Sequence, residues 1–237
     1  MRLHALLKKD YIDVQEGIAA GADILALSYV HRASDIVQLR ELADKYDKTV
    51  RLCAKIETRQ AIENIREITR VSDVVMIARG DMGLQMNIED VPIAQKKIIA
   101  ECREQGKPVI TATQMLESMI SAGRPTRAEA TDVANAILDG SDAVMLSGET
   151  AAGLYPIASC SYMRRIADKA ERMFDYTKWM DSRKRDSGDP TMAIAFAVAQ
   201  LASVCKPKAI VTTSTSGQTA RLVSNFRPKV PIYCATW

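Results

Sequence analysis

Histidine is almost missing from this chain: His4 and His31 are the only two in 237 residues. Two histidines cannot build a multi-histidine zinc site, and they argue against a Ser-His-Asp triad. A lone histidine base stays open, although both residues read most simply as surface positions. Aromatic residues are 5% of the chain, too few for base-stacking platforms. Charge of one sign is also scarce. The net value is +3 and the basic residues are spread along the sequence, so neither nucleic acid nor an anionic membrane is implied. The five cysteines (Cys53, Cys102, Cys160, Cys205, Cys234) lie far apart with no C-x-x-C pair. Their odd number and apolar neighbours predict buried free thiols in a reducing, cytoplasmic setting. Long apolar runs are absent too. Ala193 to Val204 is interrupted by Gln200 and too short to span a bilayer, and Met1 to Leu7 is too short for a signal peptide. No Gly-x-Gly-x-x-Gly follows any strand-like segment.

What is present is ordinary material for a globular core: 47% apolar and 26% charged residues, enough for one large domain or two smaller ones. A helix is expected over Asp10 to Ala20, ending at Gly21, then a buried strand over Ile24 to Val30. Ser34 can cap a helix bearing Ile36, Val37, Leu39, Leu42 and Ala43 at helical spacing. Strands follow over Val50 to Ile56, Val74 to Ala78, Pro108 to Thr113 and Ala143 to Leu146. The helices between them run through Ala61 to Ile68, from Pro92 to Gly106, and from Thr126 to Gly140. Thr126 and Glu129 have capping-box spacing. Pro156 opens a long helix reaching about Met173.

The strands read as unbroken apolar runs, as a parallel sheet covered on both faces requires. Five strands alternating with helices indicate an α/β fold, either a TIM-type barrel or an open doubly wound sheet, and the missing glycine fingerprint favours the barrel. Arg183 to Asp189 reads as a linker. Beyond it come a helix (Thr191 to Val204), a strand (Ala209 to Thr213), a helix (Thr219 to Asn225) and a last strand (Ile232 to Ala235). No internal repeat is evident. The expected organisation is residues 1–175 as a partial (β/α)8-type barrel of about five parallel βα units, 176–190 as linker, and 191–237 as a truncated α/β domain. A closed barrel needs eight strands, and five would leave an apolar edge exposed, so a piece of something larger is expected.

Polar residues collect at the C-terminal tips of the strands: Ser28, Lys55 and Glu57, Arg79 to Asp81, Thr113, Ser147 and Glu149. Ligands bind at this end in both candidate folds. Two carboxylates on adjacent strands can hold Mg²⁺ through hard oxygen ligands. A lysine beside them can neutralise a phosphoryl group in transit or an enolate oxygen. Gly80 to Gly83 can turn backbone N–H groups toward a carboxylate. Thr113 could relay a proton. Taken singly, each pattern has a plainer reading. Lys-x-Glu is a surface pair, Arg-Gly-Asp a turn, Thr-Ala-Thr a strand end, and Thr126 to Glu129 a helix cap. Their joint placement on one rim is what suggests a site.

Several segments carry a resemblance to a known family. They are Ala54 to Thr58 (AKIET), Ile77 to Gly83 (IARGDMG), Thr111 to Met119 (TATQMLESM), Arg124 to Glu129 (RPTRAE), Asp132 to Ala136 (DVANA) and Met145 to Ala151 (MLSGETA). In order and spacing they resemble pyruvate kinase, from near residue 3 to the end. The resemblance implies phosphoryl transfer from phosphoenolpyruvate to ADP, giving pyruvate and ATP, with Mg²⁺ (or Mn²⁺) and K⁺. It implies that Lys55 stabilises the phosphoryl group and the enolate, and that Glu57 and Asp81 hold the metal. It places Gly80 and Asp81 at the substrate carboxylate, with Thr113 and Ser147 near the face where the enolate is protonated. Arg127 would lie near a subunit interface of a homotetramer. The loop Ser214, Thr215, Ser216, Gly217, Gln218 and Thr219 resembles an effector-phosphate loop.

The departures are also informative. The family's first three barrel strands, its phosphoryl-gripping arginine, most of its K⁺ site and its nucleotide lid have no counterpart in these residues. Ala152 stands where some members have lysine. The expectation is a cytoplasmic pyruvate kinase piece with little or no activity by itself. Two rivals stay open: a Mg²⁺-dependent, enolate-forming aldolase on a related barrel, and a non-catalytic subunit that completes its barrel with a partner chain.

Overall fold

The computed structural model describes residues 6–174, 176 and 190–237. The expected linker over 176–190 lies almost entirely outside the described residues, as does His4. The chain divides into two compact units, Met1–Arg172 and Met173–Trp237.

The first unit begins with α1 (Lys8–Ala19), β1 (Ile24–Leu27), α2 (Ala33–Ala43) and β2 (Arg51–Ile56). Two short helices follow, α3 (Arg59–Glu63) and α4 (Ile65–Val71), then β3 (Val74–Ala78), α5 (Arg79–Gln85) and α6 (Val91–Glu104). The unit closes with β4 (Val109–Ala112), α7 (Arg127–Asp139), β5 (Ala143–Met145), α8 (Gly148–Ala151) and α9 (Pro156–Arg172). All five strands are parallel and hydrogen-bonded in simple sequence order, β1-β2-β3-β4-β5. This order separates the two folds left open by the sequence. A doubly wound sheet reverses its strand order at a switch point, whereas crossovers of one hand advancing in one direction generate the arc of a barrel. The fold is α/β with a parallel five-stranded sheet, as a partial barrel requires.

Apolar side chains explain why the strands form where they do. Leu52, Ile56, Val75 and Ile77 are fully buried, each contributing on the order of 2 kcal/mol. Cys53 and Cys102 belong to the same interior, where burial pushes both thiols up to about 12. The expectation of buried cysteines fails for the other three. Cys160, Cys205 and Cys234 are exposed, because the helix and strand faces carrying them have no covering layer among the described residues.

The element boundaries also differ from expectation in places. The first strand stops at Leu27, and Tyr29 takes a left-handed backbone (φ 53°). The helix expected through Ala61 to Ile68 is interrupted at Asn64, whose side-chain amide donates to the His31 carbonyl. Helix α5 starts directly at Arg79 after β3, so Gly80 to Gly83 lie at a helix start, as expected. Capping at α7 is as the spacing predicts. Thr126 Oγ1 accepts from the Glu129 amide at 3.2 Å, and Glu129 accepts from the Thr126 amide at 2.7 Å.

A pattern not noticed in the sequence organises the N-terminal end of the sheet. An aspartate stands immediately before β1, β3 and β5: Asp23, Asp73 and Asp142. Asp73 accepts from the Leu52 amide at 2.8 Å and pairs with Arg40. Asp142 accepts from the Val109 amide at 2.9 Å. Each of these two ties the start of one strand to its neighbour.

The second unit contains α10 (Pro190–Cys205), β6 (Ile210–Thr213), α11 (Gln218–Ser224) and β7 (Ile232–Ala235). Strands β6 and β7 pair in parallel. Its core gathers Ala195, Ala199, Ala202, Ile210, Val223 and Phe226. Phe196 meets Phe226 edge to face at 5.4 Å. Ile210 and Thr212 face inward while Val211 and Tyr233 are exposed.

Candidate active site

The tip of β2 places Lys55 and Glu57 two residues apart, on the same side of an extended chain. Thr58 then caps α3 by accepting from the Ala61 amide, which turns the chain away directly after Glu57. Glu57 is 0% exposed. Its Oε2 accepts from the Tyr29 amide at 2.6 Å. The left-handed turn at Tyr29 coincides with this contact. The other oxygen, Oε1, lies 2.7 Å from Lys55 Nζ. That contact is an ion pair outside hydrogen-bond geometry, and Oε1 has no hydrogen-bond partner among the described residues. Lys55 Nζ donates instead to Ser28 Oγ at 2.8 Å, linking the tips of β1 and β2. A wholly buried carboxylate with one oxygen held by an amide and the other beside an ammonium has its charge balanced within the protein, by a lysine that a bound cation would have to join or displace.

The next tip adds Gly80 and Asp81. Strand register pairs Ile56 with Ile77, so Glu57 falls level with Ala78, and Asp81 lies in the first turn of α5 just beyond. Both carboxylates are therefore at the same end of adjacent strands. No group of three or more His, Cys, Asp or Glu side chains suited to a metal occurs among the described residues. Two carboxylates are what this reading of the site calls for, since a Mg²⁺ ion keeps water and substrate oxygens in its remaining positions. The unsatisfied Glu57 Oε1 and the hard oxygen donors fit such an ion.

Thr113 follows β4 with a left-handed backbone (φ 69°), as does Gln114 (φ 53°). A β-branched residue there carries strain of order 1–3 kcal/mol. Thr113 Oγ1 accepts from the Gly80 amide at 2.7 Å and donates to the Ala112 carbonyl at 2.6 Å. The Gly80 N–H, expected to be open for a ligand carboxylate, is thus engaged by Thr113. The structure brings Ser28, Lys55 and Glu57 into one cluster and Gly80 and Thr113 into a second.

Ser147 precedes α8, and its amide donates to Glu149 Oε2 at 2.8 Å. Glu149 is buried, with Oε1 accepting from the Leu116 amide at 3.0 Å, so this carboxylate anchors the segment after β4. Arg127 is exposed at the start of α7. Ser214 to Gly217 form the turn from β6 into α11, and Gln218 and Thr219 open that helix. These residues lie in the second unit. A cavity of about 760 Å³ is lined by Leu25, Leu27, Ser28 and Tyr29 beside the outer side of β1. Lys55, Glu57 and Asp81 do not line it.

Sequence reasoning missed the roles of Tyr29 and Arg79. A tyrosine in a left-handed turn leaves no compositional signal. Arg79 looks like a ligand-facing cation at a strand tip but is buried.

Two family models match the chain: the barrel domain of pyruvate kinase over residues 1–160, and the alpha/beta domain of pyruvate kinase over residues 192–237. The chain belongs to the pyruvate kinase family. Pyruvate kinase of Sporosarcina psychrophila is 46% identical over all of this chain and 41% of its own length. The pyruvate kinases of Clostridium perfringens and Dictyostelium discoideum are each 44% identical, covering 51% and 48% of their own lengths. The chain thus spans about two fifths to one half of these curated relatives. Pyruvate kinases of this family generally use Mg²⁺ and K⁺. No helix among the described residues is long and apolar enough to cross a membrane.

Proposed function

We propose that this chain carries the magnesium- and enolate-binding rim of a cytoplasmic pyruvate kinase, the enzyme that passes the phosphoryl group of phosphoenolpyruvate to ADP. The observation that carries this reading is the Ser28–Lys55–Glu57 cluster, with one Glu57 oxygen unsatisfied, at the same sheet end as Asp81 and Thr113. Residues 1–175 supply this part, and 191–237 form a regulatory α/β domain in which Ser214 to Thr219 could receive an effector phosphate. Arg127, exposed on α7, would face another subunit of a homotetramer.

Each residue's chemistry follows from its placement. Lys55, held by Ser28, offers a fixed positive charge to phosphoryl and enolate oxygens, where charge develops during transfer. Glu57 and Asp81 would hold Mg²⁺, which supplies further positive charge against the same oxygens when bound. Gly80 and Asp81 would receive the substrate carboxylate through backbone N–H groups, with the Thr113 hydroxyl moving off the Gly80 amide. Thr113 and Ser147 carry hydroxyls suited to passing a proton to the enolate carbon. K⁺ would act mostly with residues outside this 237-residue stretch. Because the chain spans only part of its relatives, the 237-residue polypeptide is expected to show little or no ATP formation by itself.

The test is binding. Mn²⁺ titration followed by water-proton relaxation, with and without oxalate as a planar enolate mimic, should show a site that Glu57→Gln and Asp81→Asn each weaken. Mn²⁺ binding unaffected by either substitution would overturn the assignment. Turnover with phosphoenolpyruvate and ADP at the rate of a full-length relative would overturn the expected inactivity.

A further inference from the structure

Arg79 has no role in the chemistry proposed above, and its surroundings are unusual for a cation at the tip of a strand. Its side chain is buried, and all three guanidinium nitrogens are engaged within the protein. Nη1 meets Asp132 Oδ2 at 2.7 Å and Gln95 Oε1 at 3.4 Å. Nε and Nη2 both donate to the Thr113 carbonyl, at 3.3 and 2.8 Å. Nη2 also donates to the Gln114 carbonyl at 3.2 Å and lies 2.8 Å from Met115 Sδ. Nothing in this arrangement leaves the guanidinium free to grip a phosphoryl group.

The two carbonyls it holds belong to two successive residues with left-handed backbones, Thr113 and Gln114. A turn built from a threonine and a glutamine does not favour that conformation by itself. The next link is immediate, because Thr113 Oγ1 receives the Gly80 amide. Gly80 is also the residue following Arg79, so the contacts close a short ring: Arg79 to the Thr113 carbonyl, Thr113 hydroxyl to Gly80, Gly80 back to Arg79. Asp132, from α7, neutralises the charge and so makes burial of the arginine tolerable.

We infer that Arg79 is a positioning residue: its guanidinium, balanced by Asp132, holds the strained Thr113–Gln114 turn so that the Thr113 hydroxyl meets the Gly80 amide. It thereby shapes the part of the rim that takes a carboxylate-bearing ligand, a statement that rests on the function proposed above. The fork geometry is essential, since one ammonium cannot span two successive carbonyls and a carboxylate.

Four variants of the 237-residue chain test this: Arg79→Lys, Arg79→Met, and each combined with Gln114→Gly. Glycine adopts the left-handed conformation without strain, so it should replace the restraint that Arg79 supplies. Hydrogen exchange at the Gly80 amide should quicken about tenfold in Arg79→Met and less in Arg79→Lys, and Gln114→Gly should recover much of that loss. Oxalate affinity in the presence of Mn²⁺ should rise in Arg79→Met, because the Thr113 hydroxyl that competes for the Gly80 amide is held there less firmly, and Gln114→Gly should reverse that gain. A buried ion pair with only a packing role would not be rescued by a glycine at an exposed turn position. Unchanged Gly80 exchange in Arg79→Lys and Arg79→Met, or no recovery with Gln114→Gly, would overturn the inference. Should Arg79→Met fail to fold, Arg79→Lys and its Gln114→Gly partner decide the same question. Absence of oxalate binding in the unaltered chain would count against the proposed function, while Gly80 exchange would still decide the role of Arg79.

Discussion

At the N-terminal end of the sheet, Asp73 and Asp142 each stand one residue before a strand and accept a backbone amide from the neighbouring one. At the C-terminal end, Glu57 also accepts one amide, yet its second oxygen has no hydrogen-bond donor and faces the Lys55 ammonium from full burial. Glu149, at the same end, has an amide on each oxygen. Identical chemistry therefore serves two purposes. Where a carboxylate accepts a backbone amide from a neighbouring segment, it holds elements together. Where one oxygen lacks a hydrogen-bond donor and faces an ammonium, as at Glu57, it belongs to the carboxylate proposed above to hold a cation. Parallel barrels place function at one end and structural support at the other.

Substitutions that separate binding from stability would break or sharpen this contrast. The largest effect is expected at Glu57→Gln. Mn²⁺ affinity should fall about 100-fold or more, while the urea midpoint falls only modestly, because the Lys55 ammonium that loses its partner keeps Ser28 and some solvent exposure. A large loss of stability with intact Mn²⁺ binding would place Glu57 among the structural carboxylates. Next is Glu149→Ala, which strands the buried Leu116 amide and the part-buried Ser147 amide and should cost about 2 kcal/mol in urea unfolding. Asp73→Ala, at the opposite end, should cost about 1.5 kcal/mol and leave Mn²⁺ affinity unchanged, since its lost bonds lie away from the site. A fall in Mn²⁺ affinity for Asp73→Ala would show that the two ends are coupled.

The smallest effect is a pH dependence. Burial alone would raise the Glu129 pKa, but the hydrogen bonds from Ser118 and Thr126 outweigh it and hold the carboxyl below its usual value of 4.5. A carboxyl with a depressed folded pKa adds stability that is fully present above the unfolded value and lost as pH falls through the folded one. Urea midpoints of the parent chain should therefore drop more steeply below about pH 4.5 than those of Glu129→Gln. Parallel slopes would remove Glu129 from the set of satisfied carboxylates.

Legibility from sequence followed the range of the interactions. The alternation of apolar runs with helical patterns located every strand, because burial and periodicity are local properties. The Thr126–Glu129 cap was readable for the same reason: both partners lie within one turn. That Lys55, Glu57 and Asp81 share one end of the sheet was readable because they follow strands, and a parallel sheet brings strand ends to one side. The expectation for cysteine failed at Cys160, Cys205 and Cys234, since an apolar neighbourhood in sequence does not say which face of an element is covered. The same limit hid the Asp23, Asp73 and Asp142 pattern, whose meaning needs the adjacent strand.

The sequence by itself determined the α/β class, the parallel strands and the identity of the charged groups at their tips, through hydrophobic period and turn chemistry. Only the tertiary structure decided which partners each of those charges meets. Arg79 is turned inward onto Thr113, Gln114 and Asp132, whereas Glu57 keeps an oxygen unfilled. The reason is physical. Whether a buried charge is satisfied depends on donors and acceptors brought in from distant segments, and no local pattern records how those segments meet.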